Sequence, residues 1–257
     1  MHRVVLALLL GSLPLLCVAQ KPVEVWSYHS SPPFALPDAP GLSSAFVELL
    51  NQHASNAGRF QFKLVELPRK RLDMRLIENQ PGVLLWSTPE FLSEAQAAHA
   101  SWSSPLLHDQ QDVISLAATP HDYQGADSLR GLTLGGILGH RYKGLDSAIE
   151  SGLIRREDVH SDLQNLQKLR AGRVDMALLP RSTLLYYRKT DPQQDLYVSA
   201  KPLHRFERRL LMTSSLADAV KSYLQEVTEA LSNSPHWHAL LDRYGLQPIA
   251  AQHRALR

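Results

Sequence analysis

The chain has 257 residues, 44% apolar, 20% charged and 7% aromatic, with 13 Gly, 16 Pro and a single Cys. A disordered chain needs fewer apolar residues and a larger net charge, so this is a globular composition, long enough for one large domain or two of about 110–130 residues. The net charge of +2 falls short of the basic excess of a duplex nucleic-acid binder, and one Cys excludes an intrachain disulfide framework and any multi-cysteine metal site.

Residues 1–19 read as a signal peptide. Arg3 gives a basic start, Val4–Leu10 an apolar run, and Cys17-Val18-Ala19 the small residues before a cut after Ala19. The run is too short to span a membrane, and Leu16 before Cys17 speaks against lipid attachment at that cysteine. The expected working chain starts at Gln20, lacks cysteine, and is periplasmic in a host with two membranes.

Val23–Tyr28 alternates as a strand, and His29–Pro40, with prolines at 32, 33, 37 and 40, as a loop. Ser43 or Ser44 is the expected cap of a helix carrying Phe46, Leu49 and Leu50 and ending near Gly58. Phe60–Leu67 is a second strand. Pro68 opens a helix with Leu72, Leu76 and Ile77 on one face, stopped by Asn79-Gln80-Pro81-Gly82, and Val83–Trp86 is a short buried strand. This order implies a mostly parallel sheet with helices on its faces.

A second cycle follows. Asp112–Ala117, Leu132–Ile137, Val174–Leu179, Leu196–Ala200 and Arg209–Thr213 read as extended. Helices are expected around Leu145–Glu150, over Leu163–Arg170, Ser182–Tyr187 and Leu216–Leu231, and over Pro235–Tyr244 before Gly245. Ser103–Ile114 is the candidate crossing between the halves and Ala200–Phe206 the candidate return. The expected fold class is α/β with two lobes: 20–107 with 205–257, and 108–204.

Six segments, in order, resemble family 3 extracellular solute-binding proteins. They are the strand with Ser31-Pro32-Pro33-Phe34 and Gly41, then Trp86-Ser87-Thr88-Pro89-Glu90, then Trp102-Ser103-Ser104-Pro105-Leu106. Next come Leu129-Arg130-Gly131-Leu132-Thr133-Leu134-Gly135 with Gly139, Leu169-Arg170-Ala171-Gly172-Arg173-Val174-Asp175, and Leu240 with Arg243-Tyr244-Gly245. The resemblance implies a periplasmic-binding-protein fold whose lobes close on a ligand about two hinge crossings. It implies a small-molecule ligand, an ABC permease or a sensor as partner, and a monomer; no nucleic acid is implied.

The chain departs from amino-acid-binding members at two positions. Read forward from Thr88, the carboxylate-binding Arg position holds Phe91; read back from Trp102, it holds Gln96. The ammonium-binding Asp position holds Pro180, next to Arg181. An ammonium facing no carboxylate forgoes a charge-assisted hydrogen bond, commonly about 1.5–3 kcal/mol. The expected ligand is therefore polar or anionic. Its expected contacts are Phe34, Ser87 and Thr88 on one lobe and His140, Arg141, Tyr142 and Arg181 on the other. A helix start after Gly139 is expected to favour an anion.

Tyr28, Trp86 and Trp102 read as core or cleft lining, Tyr186-Tyr187 as helix packing, Asp175 as a turn stabiliser, and Arg69-Lys70-Arg71 with Arg75 as a solvated helix face. Enzyme signatures are weak. There is no His-Glu-x-x-His, the His236-x-His238 pair splays on a helix, and neither a Gly-x-Ser-x-Gly elbow nor a phosphate loop occurs. No catalytic residue, metal or cofactor is assigned. The alternatives are a lyase or dehydratase on the same fold, related to cyclohexadienyl dehydratase, and a non-binding interaction protein.

Overall fold

A computed structural model describes residues 22–53, 55–191 and 195–251. The expected signal peptide, its expected cleavage position and Cys17 lie outside these residues. The strands are β1 Val23–Ser27, β2 Phe62–Glu66, β3 Val83–Ser87, β4 Ala100–Trp102, β5 Leu107–Leu116, β6 Thr133–Ile137, β7 Arg155–Val159, β8 Met176–Pro180, β9 Leu196–Val198 and β10 His204–Thr213. The α-helices are α1 Leu42–Gln52, α2 Arg69–Ile77, α3 Glu94–Ala97, α4 Asp146–Glu150, α5 Asp162–Arg170, α6 Arg181–Thr190, α7 Asp218–Leu231 and α8 Pro235–Arg243. None of the described helices is long and apolar enough to cross a membrane.

The strands form one continuous path, β2-β1-β3-β10-β5-β8-β6-β7, with β4 paired to β10 and β9 to β5. In the first lobe β1 pairs in parallel with β2 and β3; in the second β6 pairs in parallel with β7 and β8. Alternation along the strands sends neighbouring side chains to opposite faces. On β1, Val25 enters the core with α1, α7 and α8, while Trp26 packs with Leu72 and Leu76 of α2. On β5, Val113 faces the core with Leu145 and Ala148, and Ile114 the one with Leu166, Leu169 and Leu184. Each lobe is a sheet with helices on both faces.

The join is an antiparallel ribbon. Leu107–Gln111 of β5 pairs with His204–Arg208 of β10, from Leu107↔Arg208 to Gln111↔His204. Beyond it β5 continues into the second lobe against β8 and β9, and β10 into the first against β3 and β4. The crossing and the return read from sequence are thus strands paired to one another. A further join lies on α6, whose Leu185 and Tyr186 pack against the first lobe's core and whose Lys189 Nζ donates to the Asp242 carbonyl at 2.6 Å.

Some local expectations shift. Helix α1 starts at Leu42 with Gly41 as its cap residue, because Ser43 is buried as acceptor for the Trp86 indole N–H at 3.0 Å. A Cβ on Gly41 would stand 2.4 Å from the Phe34 carbonyl oxygen, so the close approach of loop and helix needs glycine. On α2, Leu72 and Leu76 are buried but Ile77 is exposed beside Met74. Asp175 closes no local turn: its carboxylate accepts from the Thr133 N–H at 2.7 Å, tying the entry of β8 to the start of β6.

Candidate functional site

The carboxyl ends of the parallel strands in open α/β units carry the loops that form ligand sites. In the first lobe these are the loops after β1 and β3. Opposite them stand the loop after β6 and the starts of α5 and α6. The lobes meet here through hydroxyls: Thr183 Oγ1 donates to the Pro32 carbonyl at 2.8 Å, and the Ser31 hydroxyl stands close enough to the Asp162 carboxyl to lower its pKa.

The first-lobe wall is shaped by an irregularity in β3. Pairing with β10 steps from Leu211↔Leu84 to Arg209↔Ser87, leaving an extra residue in β3, and Trp86 there has φ 58°. A bulge re-aims a side chain and increases local twist. The Trp86 ring turns into the core between Phe34, at 5.4 Å, and Phe46, at 5.2 Å. Its carbonyl faces the hinge, accepting from Arg208 Nη1 at 3.3 Å and lying near enough to the His29 ring to raise its pKa. His29 stacks on Tyr28 and meets Phe34 in a tilted pair at 4.9 Å, while its Nε2 is buried without a partner. Burial, then the nearby Arg208 charge, drives its pKa well below the ordinary histidine value, so the ring is neutral.

The hinge base holds a dense polar network around Asp109 and Asp112. Asp109 accepts from Arg208 Nε at 2.6 Å, Ser182 Oγ at 2.7 Å and the Ser182 N–H at 3.1 Å. The Arg208 guanidinium lies 4.5 Å from the Phe34 ring centre and 5.0 Å from that of Phe206, a favourable placement for a desolvated cation. Asp112, fully buried, takes a double contact from Arg181 and accepts from Gln110 Nε2 at 2.6 Å.

Of the residues named from sequence, Phe34, Ser87 and Thr88 are buried on the first-lobe wall, with the Thr88 hydroxyl donating to Glu90. His140 stands across the cleft. Although its ring reaches solvent, desolvation, then Arg156 and the opposing Arg69, lower its pKa. Arg141 does not join them: its side chain is 85% exposed and lies 3.9 Å from Asp146. Tyr142 is buried in the second lobe, its hydroxyl oxygen accepting from the Ile137 N–H at 2.9 Å; burial pushes its pKa up to about 12. Arg181 is committed to Asp112. The helix start expected after Gly139 lies further on, because Gly139 turns at φ 79° and α4 begins only at Asp146. The His140 N–H is used by the Ile137 carbonyl and the Tyr142 N–H by Asp146.

The two readings of the missing arginine also separate. Gln96 completes a capping box with Ser93 and donates to Asp73 at 2.6 Å. Phe91 instead packs on Phe206 and on His204, both of whose ring nitrogens are buried without partners. Sequence reading missed Asp109, Asp162, His29 and Arg208, whose roles arise only from pairings between distant segments. Among the described residues no group of three or more His, Cys, Asp or Glu is placed to hold a metal ion.

No family model and no curated protein matches the chain. Solved structures do. The GluR0 ligand-binding core from Nostoc punctiforme, in complex with L-glutamate, superposes with a TM-score of 0.67 at 14% identity, over 87% of this chain and 99% of that one. A mutant of ArgBP from T. maritima gives 0.65 at 17% identity, over 86% and 94%. The substrate-binding protein of an amino acid ABC transporter gives 0.63 at 14% identity, over 87% and 99%. The sheet path, the crossing ribbon and these superpositions agree: the chain has the two-lobe α/β fold of the periplasmic binding proteins.

Proposed function

We propose that the protein is a periplasmic solute-binding protein that captures a small polar ligand by hinge closure and presents it, as a monomer, to an ABC importer or a sensor. The proposed lobes are 20–107 with 205–257, and 108–204. The observation that carries the reading is the paired ribbon of β5 and β10, from which two lobes hang with polar loops facing each other. Such an arrangement has an open and a closed state, and a ligand touching both lobes favours the closed one by its differential affinity. Buried ring nitrogens without partners on His29 and His204 supply the hydrogen-bonding capacity that a polar solute uses.

Phe34, Ser87, Thr88 and His140 are the proposed ligand-facing residues of the expected set, with Tyr142 and Arg181 holding the frame. Arg141 reaches the ligand only by swinging inward on closure. At these low identities the glutamate and arginine named for the neighbours do not transfer to this chain.

The test is a thermal-shift screen of the chain from Gln20 against amino acids, polyamines, organic acids, sugars and inorganic anions, with turnover followed in parallel. A ligand at 100 times its Kd stabilises by about 2.7 kcal/mol, which raises Tm by roughly 5–10 °C at this size. A hit without turnover, accompanied by contraction in small-angle scattering, is the expected result. Turnover, or no hit in any class, overturns the reading.

A further inference from the structure

Three described aspartates are almost fully buried: Asp109 at 2% exposure, Asp112 at 0% and Asp162 at 7%. Two of them hold an arginine. Asp109 pairs with Arg208 and Asp112 with Arg181. Asp162 pairs with no lysine, arginine or histidine among the described residues; its partner is the Ser31 hydroxyl, which arrives from the other lobe. Its charge is also felt by the Tyr142 and Tyr187 hydroxyls, whose ionisation it opposes. Nearby, Thr183 on α6 fastens the same first-lobe loop at Pro32.

We propose that Asp162 is the counter-charge for a cationic group, an ammonium or guanidinium, on the solute captured between the lobes. This rests on the clamp reading above and names the ligand class for it. A buried carboxylate without a cation is costly, so chains that bury one commonly supply the cation. Here the chain does so at Asp109 and Asp112 and leaves Asp162 open at the inter-lobe seam. Tyrosine rings and hydroxyl oxygens around an acid also suit a desolvated cation. Burial pushes the Asp162 carboxyl up to about 6, so at neutral pH it is still ionised and a cation beside it would relieve the cost of its burial. Asp162 is also the first residue of α5, where an acid favours the helix dipole. The α5 cap is already supplied, however, by Ser161 Oγ accepting from the Gln164 N–H, and a dipole role needs no burial beneath the opposite lobe.

The experiment compares the parent with Asp162→Asn at pH 8, by thermal shift and calorimetry. The probes are putrescine, agmatine and choline as carboxylate-free cations, succinate and sulfate as anions, and xylose as a neutral solute. A cation is expected to bind the parent, and Asp162→Asn to weaken it tenfold or more. The ligand-free variant is expected to melt higher than the parent at pH 8, since an unpaired buried charge is gone; a purely helix-starting aspartate would give a lower Tm. An anion or xylose binding while no cation does leaves the clamp reading standing and overturns this inference. Cation affinity within twofold of the parent in the variant, or a lowered Tm of the ligand-free variant, overturns it as well. Silence of every probe here and in the wider screen overturns both readings.

Discussion

The hinge base and the inter-lobe seam both bury charge, but they treat it in opposite ways. At the base, Asp109 accepts hydrogen bonds from Arg208 and from Ser182, and Arg208 is held between Phe34 and Phe206. At the seam, Asp162 meets one hydroxyl and His29 leaves a buried nitrogen bare. A satisfied buried network rigidifies and specifies structure, while an unsatisfied one persists where something outside the chain completes it. The base therefore serves the geometry of the clamp, and the seam its cargo.

Breaking the base should have the largest effect. Asp109→Ala leaves Arg208 buried without its counter-ion and should cost about 3–5 kcal/mol, lowering Tm by roughly 10 °C. The double variant Asp109→Leu with Arg208→Met should recover most of that loss, and an equal or greater loss would deny that the pair acts as a unit.

The seam should respond with the opposite sign. The folded pKa of Asp162 is raised, from 3.8 to about 6, so the native state holds its proton more tightly than the unfolded chain. Its contribution is fully present below about pH 4 and is lost as pH rises through about 6. Asp162→Asn should therefore be neutral near pH 4 and stabilising above pH 6 by up to about 3 kcal/mol, read from denaturant midpoints across that window. Arg181→Ala leaves the buried Asp112 carboxylate without its cation, but Gln110 Nε2 still donates to it and the space of the partly exposed arginine opens to water, so it should cost about 2–3 kcal/mol. The smallest effect belongs to Arg141→Ala. At 85% exposure it should change stability by no more than about 0.5 kcal/mol, and unchanged affinity for an identified ligand would remove Arg141 from the site.

Periodic elements were legible in the sequence because one face of each is apolar. Val23–Ser27, Val83–Ser87 and Asp218–Leu231 lie within a residue or two of their expected spans. The hinge strands were less so. β10 opens with His204-Arg205-Phe206-Glu207-Arg208, a charged run that reads as a connection until its partners are known; Asp109 neutralises Arg208 and Glu207 takes Arg209. Strand β4 and helix α3 are too short to show a period. The site was legible only as a region. Phe34, Ser87 and Thr88 follow strands and could be placed on a lobe wall, but whether an arginine there is available depends on its acid. Arg181 meets Asp112 from 69 residues away, and Ser31 meets Asp162 from the other lobe. Neither pairing leaves a local trace.

The register of the crossing ribbon has a consequence for modularity. Gln111 and His204 face each other across paired strands, so everything between them leaves and returns at one point. The second lobe is topologically an insertion in a β-hairpin of the first. Closing that hairpin with a short turn would restore a continuous first-lobe sheet, and the same two positions are where a different second lobe could be grafted.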